Sequence, residues 1–131
     1  MAIRKFDFHK IGWVVEFNTV GEPASKANSR RLVAIGGKPR FIKSKKGLLF
    51  VQSFITQCPT LDPLLDGDLL VAIEIHYASR RPDLDESLIL DAMENKVYKN
   101  DRQVKEKHIF WNLDRDNPRI EIKIAKLNLF S

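Results

Sequence analysis

Cysteine is nearly missing from this chain: Cys58 is the only one in 131 residues. An internal disulfide is therefore excluded, and the composition fits a reducing cytosol. Cys58 sits in an apolar stretch with no electropositive neighbour in sequence, which reads as a buried thiol and not a nucleophile. Long apolar runs are missing too. Nothing approaches the roughly 20 residues of a membrane span, and Met1-Ala2-Ile3-Arg4-Lys5 is not followed by a signal-type apolar core. The expectation is a cytoplasmic protein with no membrane partner. Six glycines form no nucleotide-binding loop, and one cysteine with three histidines forms no zinc pattern.

The most informative absence is local. Between Lys26 and Lys46 there is no acid, while Lys26, Arg30, Arg31, Lys38, Arg40, Lys43, Lys45 and Lys46 all carry positive charge. The acids gather instead from Asp62 to Asp101. The whole chain has 22 Lys plus Arg against 17 Asp plus Glu, a net charge of +5 and a pI near 9.4, which favours a polyanionic partner. Its two parts differ: one seeks phosphate, the other cations.

The secondary-structure signals describe one domain. Trp13 to Phe17 is a first strand by its β-branched and aromatic content, and residues 1–12 are an arm or a short strand. Thr19 to Arg31 is a polar, basic loop whose Ser25, Asn28 and Ser29 suit phosphate contacts. Gly36-Gly37 between Leu32–Ile35 and Pro39–Ile42 predicts a hairpin. Ser44 as N-cap, apolar residues at helical spacing and Pro59 as terminator predict a helix over 45–57. Leu69 to Tyr77 is the most apolar run and predicts a central strand; His76 near its end reads as a surface or hydrogen-bonded residue, not a ligand. A second helix is predicted from Leu84 to Met93, with Asn95 just past its end. Val104 to Leu113 and Arg119 to Leu127 predict two strands forming an antiparallel pair. The fold class that follows is α+β: a mixed sheet with two main helices packed against it.

The chemistry concentrates in Arg80-Arg81-Pro82-Asp83-Leu84-Asp85-Glu86. Pro82 holds its predecessor extended, and on extended backbone Asp83 and Asp85 point to one side while Leu84 turns to the core. An acidic helix start can simply complement the helix dipole. Two carboxylates about 4 Å apart, however, repel by roughly 4 kcal/mol at an effective dielectric near 20, which calls for a proton or a hard cation such as Mg²⁺ or Mn²⁺. Glu86 is a third acid beside them. Asp91 opposes the dipole late on the helix; it either pairs with a cation such as Arg102 or joins the acid cluster. The Lys99-Asn100-Asp101 turn brings Asp101 back towards the first acids.

The string RRPDLDESLILDAMENKVYKNDRQVK resembles the core motif of the RusA family of Holliday-junction resolvases, R-R-x-D-L-D-N followed by D-A-L and V-Y-x-D-D-x-Q-V. Upstream, Gly21 to Arg30 resembles the family's G-x-P-x-S-K-x-N-S-R segment, and downstream Pro118 to Ile124 resembles its last strand. The resemblance implies a RusA-like fold and Asp83, Asp85 and Asp101 as catalytic, metal-binding carboxylates, with Glu86 and Asp91 as further metal candidates. It implies a Mg²⁺-dependent endonuclease on four-way DNA junctions, acting in recombination and repair as a homodimer. Lys26, Arg30, Arg31, Lys45, Lys46, Arg80, Arg81, Arg102 and Lys105 are the DNA-binding candidates. Three positions depart from the pattern: Glu86 replaces Asn, Asn100 replaces the first Asp of a pair, and the helix is about two residues shorter and lacks the family's Lys. Arg102 and Lys105 are its nearest substitutes in sequence. The missing Lys and Asn100 support one alternative, a catalytically weak branched-DNA-binding protein; a second alternative is a nuclease of broader flap or single-strand selectivity.

Overall fold

A computed structural model describes residues 11–25, 28, 30–80 and 82–127. The order of elements is β1 (Trp13–Val20), β2 (Arg30–Ile35), β3 (Lys38–Lys43), α1 (Lys45–Gln57), β4 (Leu69–Tyr77), α2 (Ser87–Met93), β5 (Val104–Leu113) and β6 (Arg119–Lys126), with a 3-10 turn at Asp101–Gln103 before β5. A four-stranded sheet in the order β1-β6-β4-β5 carries the core, and β2-β3 forms a separate two-stranded sheet. The expected α+β class, with a mixed sheet and two helices, is what the chain adopts. The expected residues 1–12 arm lies almost wholly outside the described residues.

Local signals placed several boundaries. Ser44 Oγ accepts the amide of Gly47, so α1 starts at Lys45, and Cys58 caps its end before Pro59. Gly36 and Gly37 both have positive φ, 58° and 76°, which is what a tight turn between twisted strands requires. Asn95, at φ 65°, provides the left-handed residue after α2.

Two expectations are corrected. α2 begins at Ser87 and not at Leu84, because Asp85 Oδ1 takes both the amide (3.1 Å) and the hydroxyl (2.7 Å) of Ser87, and residues 82–86 stay irregular. The strands β5 and β6 do not pair with each other. β4 lies between them, antiparallel to β6 and parallel to β5. Eight of the nine residues of β4 are buried, so this strand needs a hydrogen-bonded neighbour on each edge. β5 begins with exposed Lys105 and Lys107, the charged pattern of an edge strand, and the path from β4 through α2 supplies the crossover that a parallel pair needs.

One face of the sheet packs Leu69, Val71, Ile73, Ile75 and Tyr77 of β4 with Ile120, Ile122 and Ile124 of β6 against Phe54 of α1 and Ile89 and Met93 of α2. Phe54 also meets the rings of Phe17 at 6.1 Å and Phe50 at 5.9 Å. Each fully buried side chain of this size contributes about 1.5–3 kcal/mol. The consequence for function is rigidity: the C-terminal end of β4 and α2 are anchored in one core.

Candidate metal centre and nucleic-acid interface

Past Tyr77, one buried and one partly buried ring pin the acidic segment. The Tyr77 hydroxyl donates to the carbonyl of Asp83 (3.1 Å), and Trp111 Nε1 of β5 donates to that of Pro82 (3.3 Å). The rings stack at 6.0 Å, so β4 and β5 together hold residues 82–83. Asp83 is thereby exposed, whereas Asp85 is 2 % exposed and turns inward to Ser87; Leu84 packs on the core as expected. Glu22, from the loop after β1, accepts the amide of Ala78 (2.6 Å) at the same end of the sheet. Burial first, then the charges of Asp85, Glu22 and Asp83, holds the Tyr77 phenol protonated well above its ordinary range.

A second acidic group forms one helix further on. Carboxylate oxygens of Asp91, Glu94 and Asp101 all lie within 4.8 Å of one another. Asp101 is delivered by the 3-10 turn, whose Asn100 side chain accepts the amide of Arg102 (2.9 Å) while Gln103 Oε1 accepts those of Lys99 and Asn100 (both 3.1 Å). Gln103 Nε2 ties the turn to the carbonyls of Leu65 and Gly67. Asn100 is thus a capping residue here. Glu94 has its carboxyl pushed above its ordinary value near 4.5, by loss of solvent first, then by the charges of Asp101 and Asp91 and a hydrogen bond with Asp101. An all-oxygen donor set of this kind suits Mg²⁺ or Mn²⁺.

Asp101 therefore joins Asp91 and Glu94 in this grouping, and neither Asp83 nor Asp85 belongs to it. What links the two acidic groups is Arg30, at the start of β2: its Nη2 lies 3.3 Å from Asp91 Oδ2 and 3.5 Å from Ser87 Oγ, and Ser87 is bonded to Asp85. Asp91 thus both joins a cluster and pairs with a cation, but the cation is Arg30 and not Arg102. Glu86 lies 3.8 Å from Lys107 of β5. Sequence reading missed Glu94 and Lys107. Glu94 falls at i+3 from Asp91, a spacing that places both on neighbouring positions of a helix end, so that signal was present. Lys107 carried none, since only the β4–β5 pairing brings it to Glu86.

Of the other DNA-binding candidates, Arg31, Lys45, Lys46, Arg80, Arg102 and Lys105 are exposed, and Lys26 and Arg81 lie outside the described residues. Lys45 and Lys46 occupy the first turn of α1, where there is no acid and a cation opposes the helix dipole. An anionic partner would relieve that conflict. Lys46 shares a depression with Glu22, Pro23, Ser25, Asn28 and Pro82, which sets it beside the segment that carries Asp83.

A further polar group lies among Glu74 and His76 of β4 and Glu121 of β6. His76 is buried on a central strand, not at the surface; its Nε2 lies 3.1 Å from Glu121 Oε2, close enough for an ion pair but not aligned for a hydrogen bond. Arg119 donates to the same Glu121 oxygen (3.0 Å) and Asn112 to Glu74 (2.7 Å), so these carboxylates already serve a structural network. Cys58 is buried as expected, its thiol raised to about 11 by burial against the opposing charge of Lys96. Among the described residues no helix is long and apolar enough to cross a membrane.

No curated protein matches this chain. The family model for RusA, described as endodeoxyribonuclease RusA, matches residues 21–125, a span that begins at the loop after β1 and takes in the basic hairpin, both acidic groups and nearly all of β6. Nucleases of this family act on Holliday junctions and depend on metal, which the acidic grouping fits. The chain belongs to the RusA family of endodeoxyribonucleases.

Proposed function

We propose that this protein is a Mg²⁺-dependent, structure-selective endonuclease that resolves four-way DNA junctions by paired symmetric nicks. The observation that carries the reading is the contact of Arg30, from the basic hairpin, with Asp91 of the acidic group, since it joins a phosphate-seeking surface to a cation-seeking one. Asp83, Asp85 and Asp101 are the catalytic carboxylates, Asp91 and Glu94 adjoin Asp101, and Glu86 stands at the start of α2 beside Lys107. Mg²⁺ (or Mn²⁺), when bound, supplies an activated water and charge stabilisation for in-line hydrolysis of a phosphodiester. The chain's own residues do the rest. Arg30 beside Asp91 and Lys107 beside Glu86 orient the scissile phosphate, while Arg31, Lys45, Lys46, Arg80, Arg102 and Lys105, with Lys26 and Arg81, hold the arms.

Two symmetric cuts require two sites related by a two-fold axis, hence a homodimer. The test uses labelled four-way junction, flap, duplex and single strand, with and without Mg²⁺ or Mn²⁺, alongside light scattering on a sizing column. Paired nicks in the junction alone, from a dimer, are the expected outcome. Cuts in flap or single strand would replace this reading with a broader nuclease, and binding without cuts would replace it with a junction-binding protein.

A further inference from the structure

The hairpin β2-β3 carries a feature that electrostatics does not use. Leu32 and Phe41 are direct cross-strand partners, and they are 59 % and 73 % exposed. Partners of this kind have Cβ atoms about 4.5–5.5 Å apart, so the two side chains make one apolar patch. Neither belongs to the hydrophobic core. Exposing a phenylalanine and a leucine side by side on a two-stranded ribbon gives up hydrophobic stabilisation, and such patches mark sites of interaction.

The register says which way the patch faces. Arg30, Leu32 and Ala34 alternate onto one face of the hairpin, with Lys43, Phe41 and Pro39 opposite them. Arg30 on this same face reaches Asp91 and Ser87. Leu32 is two residues further along, about 7 Å at the usual rise of a strand. The apolar pair therefore lies on the face of the hairpin from which Arg30 reaches the acidic site, two residues along the strand from it.

The surroundings choose the occupant. Arg30 and Lys43 lie on the same face as the pair, Arg31 and Arg40 adjoin it in sequence on the opposite face, and no acid occurs between Glu22 and Asp62. A second copy of the hairpin would bring like charges together, whereas nucleic acid satisfies the cations and offers apolar faces where bases are unstacked. Intact duplex hides those faces; a branch point does not.

We propose that Leu32 and Phe41 form a wedge that inserts against the unstacked bases at the branch point of a four-way junction, setting the distance between that point and the phosphate held at the acidic site. The inference rests on the junction-resolving reading and adds to it a residue pair that selects branched over linear DNA.

The experiment places 2-aminopurine beside the branch of a four-way junction and, as control, at the same position in linear duplex. Without divalent metal, the parent protein is expected to raise fluorescence at the branch and leave the duplex unchanged. A Leu32→Ala/Phe41→Ala double variant is expected to lose the rise and, with Mg²⁺, to cut the junction about tenfold more slowly, in line with loss of base stacking, at unchanged duplex affinity. Phe41→Trp should retain the signal. Both positions are exposed, and an unchanged thermal midpoint will show that the variants fold. An equal rise and equal cutting by parent and double variant would overturn the wedge while leaving junction resolution intact. A double variant that elutes as a smaller species would overturn it as well, making the patch a subunit contact. A parent that neither binds nor cuts junctions would remove the functional reading itself and the wedge with it.

Discussion

Arg30 and Asp91, 61 residues apart in sequence, meet at 3.3 Å with both side chains about one-third exposed. An ion pair this open contributes roughly 0–1 kcal/mol to stability, so its consequence lies in placing a cation at the acidic site. Arg30→Ala should leave the thermal midpoint nearly unchanged yet lower single-turnover cleavage at saturating DNA by about tenfold or more, the size of one charge-assisted hydrogen bond. Rescue by extra protein would show that Arg30 only attracts DNA.

Lys45 and Lys46 should behave differently. Replacing each by Ala should flatten the plot of log affinity against log salt by about 0.9 per lost phosphate contact on duplex arms, without moving the cut site. Lower salt or more protein should restore cutting. A slope unchanged in the double variant would take the start of α1 off the DNA path.

Asp83, Asp85 and Asp101 changed singly to Asn should abolish cleavage and preserve junction binding. The structure adds a distinction among them. Asp85 is buried and holds Ser87, so its variant should also lower the thermal midpoint, while exposed Asp83 should not. A variant that cuts at the parent rate would leave the catalytic set.

Glu94 makes stability depend on pH in a stated direction. Its carboxyl is raised in the folded state, so the folded protein holds that proton more tightly than the unfolded chain does. The resulting stability is fully present below the ordinary value near 4.5 and is lost as pH rises through the folded value. Without metal, melting over this range should show that decline, and Glu94→Gln should flatten it. Mg²⁺ at 100 times its dissociation constant should add about 2.7 kcal/mol at neutral pH. A Glu94→Gln protein with the parent's Mg²⁺ response would exclude Glu94 from metal binding.

Much of this molecule was legible in one dimension. The limits of α1 follow from Ser44 and Pro59, the hairpin from Gly36-Gly37, and the core strand from the apolar run Leu69 to Tyr77, because caps, turns and periodicity act within a few residues. The family is legible for the same reason: its motif is a contiguous string. Only the tertiary structure decided that β4 separates β5 from β6, since a strand buried on both faces takes the neighbours its edges need and not those that adjoin in sequence. It likewise brought Arg30 to Asp91, Lys107 to Glu86 and Glu94 to Asp101. Charge attracts through space, and which charges come within reach depends on how the core packs.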